Sequence, residues 1–254
     1  MRKSAVPPIV VLGVLVAAVA SADASAPAGT LNFSHAVLTG HVNQDPCPPG
    51  NDPSTACFQT SGTGVVRGLG VVTEQYLLFV EDADSSCEQW HSTPVLTVAG
   101  KGKLDLSVKS QGCVVPTTSA LNASLVYTVS GGSGIYAGAS GSGSLVTRGG
   151  PGTTGRNVDT FGGSLTVQGL VFDLTPPILR GAVSRVVVAP RGSSSARVGF
   201  SVKARDPGHG SVPVTCKPRA RSRFRLGRTR VVCSAADSSG NRATARFTVT
   251  VKRG

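Results

Sequence analysis

The residues of this sequence that could do acid–base chemistry are few. Its four histidines are His35, His41, His91 and His209. None lies in a recognised nucleophile or metalloprotease motif, and no serine lies in a G-x-S-x-G turn between a strand and a helix. His35 and His41 have the same parity and could share one strand face. We therefore predict no catalytic residues, and an enzyme that uses His35 and His41 is the alternative.

One acidic segment, EDADSSCE, could offer oxygen ligands to calcium. Its acidic residues are Glu81, Asp82, Asp84 and Glu88. The segment lacks the glycine and the closing glutamate of a regular calcium loop, so we predict a solvated loop. A phosphate-binding loop in residues 131–145 would need a lysine and a helix start, but Leu145 to Arg148 continue as a strand. The sequence thus predicts no metal and no cofactor.

The six cysteines indicate structural disulfides. They are Cys47, Cys57, Cys87, Cys113, Cys216 and Cys233. Their number is even, no pair has the two-residue gap of a zinc knuckle, and no histidine lies beside one at ligand spacing. Cys47 and Cys57 bracket a loop dense in turn formers, so their pairing is the short-range choice, and Cys87 would then pair with Cys113. The first four cysteines still allow three connectivities.

Arginines are concentrated between the last two cysteines, in a segment that we predict to be a hairpin with its turn at Gly227. The arginines are Arg219, Arg221, Arg223, Arg225, Arg228 and Arg230. In an extended strand the first four would project from one face about 7 Å apart, and the last two would return on the neighbouring strand. Such a stripe would bind a polyanion. The alternative is a solvated strand face in an arginine-rich coding background. Without an aromatic residue to stack bases, the stripe does not favour specific nucleic-acid recognition.

The elements that position these residues are strands. Apolar residues alternate with polar ones in ARVGFSVKARD, RATARFTVTVK, KLDLSVK and LNASLVYTV. About eight strands in residues 27–172, with glycines inside them, predict an antiparallel β-barrel, with an open sandwich as the competitor. Six or seven strands in residues 173–254 predict a small antiparallel β-sandwich. The fold class is therefore all-β.

The charge of the sequence divides at the same place. Residues 27–172 carry 6 Lys and Arg against 9 Asp and Glu, whereas residues 173–254 carry 17 against 3. The net charge thus changes from −3 to +14, and we place a domain boundary near Asp173.

The second region resembles the HYR (hyalin repeat) family. The resemblance rests on the succession DLTPP, PVTCKP, FRLGRTRVVCSAADSSGN and RFTVTV. The matching positions are Asp173, Pro176, Pro177, Cys216, Phe224, Gly227, Cys233, Asp237, Gly240 and Asn241. The resemblance implies an immunoglobulin-like sandwich of extracellular adhesion proteins, a bond between the two cysteines, and no catalytic residues. The arginine load departs from the family pattern.

The first region resembles the allene oxide cyclase-like and dirigent-like β-barrels. The resemblance rests on the segment GGSGIYAGASGSGSL, residues 131–145. The matching positions are Gly132, Gly134, Tyr136, Gly138, Ala139, Gly141 and Gly143. Those barrels hold small hydrophobic ligands or guide reactive ones, but no active residue of theirs has a match here.

The start of the sequence predicts an exported protein. Arg2 and Lys3 precede an apolar run, and small residues follow, so we expect a signal peptide of residues 1–24. The apolar run is shorter than the roughly 20 residues that span a bilayer, so we expect no stable membrane insertion. The alanine- and arginine-rich coding suggests a bacterium.

Together these features predict a secreted, non-enzymatic, adhesion-type protein. Its basic domain would dock on an anionic polysaccharide or cell-envelope polymer, or on a protein partner. The alternatives are a ligand-binding barrel and an enzyme of cyclase or dirigent type.

Overall fold

The computed structural model describes residues 28–83, 86–115, 120–151 and 154–254, and the predicted signal peptide lies outside these ranges. Every regular element within them is a β-strand, which confirms the all-β prediction. In this part of the chain no helix has the length and apolar character needed to cross a membrane.

The first nine strands form one antiparallel sheet that closes on itself. They are β1 (Ala28–Asp45), β2 (Ala56–Val66), β3 (Gly70–Glu81), β4 (Gln89–Ser92), β5 (Val95–Val98), β6 (Gly102–Ser110), β7 (Ala120–Gly134), β8 (Ser140–Pro151) and β9 (Thr154–Gln168). Strand β9 pairs with β1, and β4 and β5 each pair with both β3 and β6 as halves of one interrupted strand. The predicted barrel of eight strands is confirmed, and the open-sandwich alternative is wrong.

The barrel follows from the alternation of side chains along its strands. In β3 every second residue is buried, from Val72 to Val80, and the residues between them face solvent or are half-buried. Glycines allow two strands to approach closely where the sheet bends. Gly143 of β8 is opposite Gly163 of β9, and a Cβ atom at Gly143 would lie 2.0 Å from the Gly162 carbonyl oxygen.

The remaining nine strands form three small sheets. They are β10 (Ile178–Arg180), β11 (Arg185–Val188), β12 (Ser195–Arg197), β13 (Lys203–Asp206), β14 (Gly210–Val212), β15 (Val214–Lys217), β16 (Arg223–Arg225), β17 (Gly227–Ala236) and β18 (Arg242–Lys252). The sheets have the orders β11-β18-β17-β15, β10-β13-β14 and β12-β16. The pair β11–β18 is parallel, whereas we predicted an antiparallel sandwich throughout.

A shared apolar core holds these sheets together as a sandwich. Phe224 of β16 and Ala196 of β12 pack in one cluster with Val231 of β17 and Val249 of β18. Phe200, which lies between the strands, meets the ring of Phe224 edge-on. The predicted apolar face of ARVGFSVKARD is thus buried or half-buried, although the segment is interrupted between β12 and β13.

The hairpin predicted between Cys216 and Cys233 is wrong. Strand β15 does pair with β17, but the chain between them leaves that sheet, and β16 pairs with β12. Arg221 has a φ of 63°, a left-handed conformation that no strand can continue through, and Pro218 offers no N–H to a ladder. Gly227 begins β17 and is not a hairpin turn.

We predict that two adjacent valines of β3 differ sharply in their contribution to stability. Val72 is 0% exposed inside the barrel, whereas Val71 is 49% exposed on its outer surface. Val72→Ala should lower the free energy of unfolding by about 2 kcal/mol, because it leaves a cavity, and Val71→Ala by less than about 0.5 kcal/mol. Denaturant unfolding of both variants measures this. Equal losses would contradict the inward–outward assignment of β3.

Candidate functional site

The barrel interior is filled by side chains. An apolar cavity within it has a volume of about 30 Å³ and is lined by residues such as Phe33, Leu104 and Tyr127. Pockets for small ligands have volumes of about 300 Å³ or more. A filled interior counts against the ligand-binding alternative.

A polar layer crosses the barrel interior away from that cavity. Tyr76 Oη donates a 2.6 Å hydrogen bond to Asp159 Oδ2, and Glu74 lies beside them. Gly62 leaves room for Glu74, since a Cβ atom there would lie 2.3 Å from Glu74 Oε1. Burial, together with the charge of Asp159, raises the pKa of Glu74 from 4.5 to about 10. Glu74 is therefore a neutral acid at neutral pH.

The two histidines of the enzyme alternative do not form a site. A β-bulge between Phe33 and Ala36 interrupts the pairing of β1 with β9 at His35. His35 and His41 are both exposed, and six residues of strand place them roughly 20 Å apart. They do not share a sheltered cleft.

The structure pairs the cysteines in the short-range pattern. The three disulfides are Cys47–Cys57, Cys87–Cys113 and Cys216–Cys233. The last one joins residues directly opposite each other on β15 and β17.

The six arginines of the predicted stripe do not share one surface. Arg219 and Arg221 lie in the excursion after β15, and Arg223 and Arg225 lie on β16. Arg228 and Arg230 lie on β17, in the four-stranded sheet. All six are exposed. The continuous stripe is not formed, because its premise was one extended strand, and the binding of a polyanion by these arginines stays a prediction.

The cationic surface of the four-stranded sheet consists of a different set of residues from the predicted six arginines. We call it the basic face, and it consists of Lys217, Arg228, Arg230, Arg242, Arg246 and Lys252. Lys217 and Arg246 flank Val232 in one row of the sheet, and Arg230 follows two residues along β17. No carboxylate lies among them, because residues 173–254 contain only three acidic residues.

Those three acidic residues meet at one place. Atoms of Asp173, Asp206, Asp237 and His209 that could bind a metal all lie within 4.8 Å of one another, and we call this group the aspartate cluster. His209 Nδ1 lies 3.1 Å from Asp173 Oδ2 and 3.1 Å from Asp206 Oδ1. Sequence reasoning missed the cluster because its members are distant in sequence. The sequence did hold one indication of the cluster: residues 173–254 have a net charge of +14, and their only three acidic residues are its three aspartates.

Each aspartate uses its Oδ1 atom in a local turn. Asp206 Oδ1 accepts the N–H groups of Gly208 and His209, and Asp237 Oδ1 accepts those of Ser239 and Asn241. Burial alone would raise the pKa of Asp206, but the hydrogen bonds from His209 and Gly208 lower it below its usual value. The carboxylate is therefore charged at neutral pH.

The aspartate cluster lies where the barrel meets the sheets that follow it. Arg67, in the turn after β2, donates to Asn241 Oδ1 at 3.2 Å and to the Leu174 carbonyl oxygen at 2.7 Å. Asn241 in turn donates from Nδ2 to the carbonyl oxygen of Asp173 at 3.0 Å and to Asp237 Oδ2 at 2.9 Å. These bonds join the barrel, through Asn241, to two of the three aspartates.

The acidic segment EDADSSCE does not form a corresponding site in the described residues. Glu88 is buried and accepts a 2.7 Å hydrogen bond from Trp90 Nε1. Glu81 lies on the exposed surface, 3.1 Å from His91 Nε2. Asp84 lies outside the described residues.

The fold is thus a closed barrel followed by a small sandwich, with no assembled catalytic constellation among the described residues. Residues 172–251 match the HYR domain family, which confirms the resemblance of the second region to that family. HYR domains are adhesion-like and not enzymatic. No curated protein and no solved structure matches the chain, so no relative supports the dirigent-like resemblance of the barrel.

We predict that Glu74 makes the protein less stable as the pH rises. Its pKa in the folded protein is about 10 and its ordinary value is 4.5, so the folded state holds a proton that the unfolded state releases between these values. The free energy of unfolding should therefore fall from about pH 5 towards pH 10. In Glu74→Gln, which resembles the neutral acid, this fall should be smaller. Unfolding curves at pH 5, 7 and 9 measure it, and identical slopes in both proteins would contradict the buried neutral acid.

Proposed function

We propose that this protein is an extracellular, non-enzymatic adhesion-type module that docks on an anionic polysaccharide or cell-envelope polymer through the basic face. The HYR match supports an adhesion role, and three disulfides are typical of proteins in oxidising extracellular surroundings. The signal peptide expected from residues 1–24 agrees with export.

The observation that carries this proposal is the arrangement of six exposed cations on one sheet without a carboxylate. Neighbouring strands lie about 4.8 Å apart and alternate residues about 6.7 Å apart, so the cations form a two-dimensional array. Such an array attracts a flexible polymer of repeated negative charges at long range, and its guanidinium groups bind sulfate or phosphate oxygens in pairs. Lys217, Arg230 and Arg246 lie at the centre of this array.

The test compares two triple variants with equal charge. In the full mature chain, Arg228→Ser, Arg230→Ser and Arg246→Ser together remove cations from the basic face. The matched control replaces Arg219, Arg221 and Arg223 with serine; these arginines are also exposed but lie off that sheet. Binding to immobilised heparin, as a model polyanion, and to purified bacterial envelope is measured against salt concentration.

We predict that the basic-face variant loses about tenfold or more in affinity and that its salt dependence is correspondingly shallower. The control should lose much less, because its cations do not lie in the array. Equal losses in the two variants would show that net charge alone attracts the polymer. Salt-independent binding, or no binding at low salt, would contradict the proposal.

A further inference from the structure

We propose that the aspartate cluster is a binding site for one calcium ion, at the junction between the barrel and the HYR-matching region. The site would be formed by Asp173, Asp206 and Asp237, with His209 beside them. It lies apart from the basic face in its residues and in the charge of its ligand, so neither proposal rests on the other.

The first argument is a buried oxygen without a partner. Asp206 is 0% exposed, and its Oδ2 atom has no hydrogen-bond partner, although its Oδ1 atom accepts two backbone N–H groups. A charged oxygen that is buried without a partner carries a large desolvation cost. Since Asp206 belongs to the aspartate cluster, a bound cation would compensate that cost.

The second argument is charge balance. Three carboxylates lie together, and no Lys or Arg in the described part of the chain forms a salt bridge with them. The charges of Asp237 and Asp173 act on Lys101, but its Nζ atom donates to the Leu69 carbonyl oxygen at 2.7 Å and to Ser239 Oγ at 3.4 Å and forms no salt bridge with either carboxylate. Among the groups in salt-bridge contact, even a charged His209 would leave two negative charges. A divalent cation supplies the two positive charges that balance them.

The third argument concerns the kind of ion. Three carboxylates form an oxygen-rich set, which suits calcium or magnesium better than a soft metal. Ligand atoms within 4.8 Å of one another fit inside a calcium shell, whose opposite oxygens are about 4.6 to 5.2 Å apart at bond lengths of about 2.3 to 2.6 Å. Magnesium holds opposite oxygens only about 4.2 Å apart. Extracellular calcium modules work at about 0.1 to 1 mM, which suits an exported protein.

The position of the cluster gives the ion a mechanical role. Asp173 precedes β10, Asp206 ends β13, and Asp237 begins the turn between β17 and β18. Arg67 of the barrel binds the same turn through Asn241. A calcium ion would therefore tie three separate segments together beside the contact between the barrel and the sandwich.

The test variant is Asp206→Asn in the full mature chain. An asparagine keeps the Oδ1 acceptor for the N–H groups of Gly208 and His209 and replaces only the unpartnered oxygen. The matched control is Glu81→Gln, which also removes a carboxylate that lies 3.1 Å from a histidine nitrogen, but outside the cluster. Calcium binding is measured by titration calorimetry, and melting temperatures are measured in chelator and in calcium.

We expect one calcium ion per chain and a rise in melting temperature of about 5 °C or more at a calcium concentration 100 times the dissociation constant. Asp206→Asn should lose at least tenfold in calcium affinity, yet in chelator it should melt no lower than the parent protein, because it removes one of three like charges. Glu81→Gln should bind calcium normally.

Three results would overturn the proposal. The first is that calcium neither binds nor raises the melting temperature. The second is that Asp206→Asn melts below the parent protein by the same amount in chelator and in calcium. That result would mean that the aspartates are stabilised by an ion pair with His209 and not by calcium. The third is tight binding of zinc, abolished by His209→Gln, without binding of calcium.

Discussion

The meeting of three aspartates in an otherwise basic region is the constraint on which the structure of residues 173–254 depends. With a net charge of +14, residues 173–254 would disperse their few carboxylates among seventeen cations if charge pairing governed their placement. Instead Asp173, Asp206 and Asp237 meet one another and His209. Their backbone turns fix their positions, since each Oδ1 atom accepts one or two N–H groups from residues two to four positions later. Local turns therefore fix each carboxylate, and the topology brings the three together at a cost in repulsion that a divalent cation would remove.

The aspartate cluster also separates the negative charges of residues 173–254 from the positive charges of the basic face. The acidic residues are used at the junction, so the four-stranded sheet presents cations without competing carboxylates. The barrel contributes differently: its interior is closed by packing, and its contact with the second region includes the turn that carries Arg67 and the side chain of Lys101.

The local alternation of side chains made much of the fold predictable. Strand β18 carries its buried residues Phe247, Val249 and Val251 where the pattern RATARFTVTVK places them. The closed barrel followed from strand count and from glycines inside the strands. The arginine stripe failed because alternation predicts an extended strand but not where a strand changes sheets. Pro218 and Arg221 interrupt that segment, and Phe224 then turns into the core opposite Ala196.

The aspartate cluster was not predictable from spacing, since its members lie 33, 3 and 28 residues apart and only the topology brings them together. A crystal structure of the chain grown in calcium, with anomalous diffraction data, tests the central claim most directly. The account predicts one strong anomalous peak about 2.3 to 2.6 Å from Asp206 Oδ2, with oxygens of Asp173 and Asp237 in the same shell. An aspartate cluster without a peak, held only by His209 Nδ1, would contradict it.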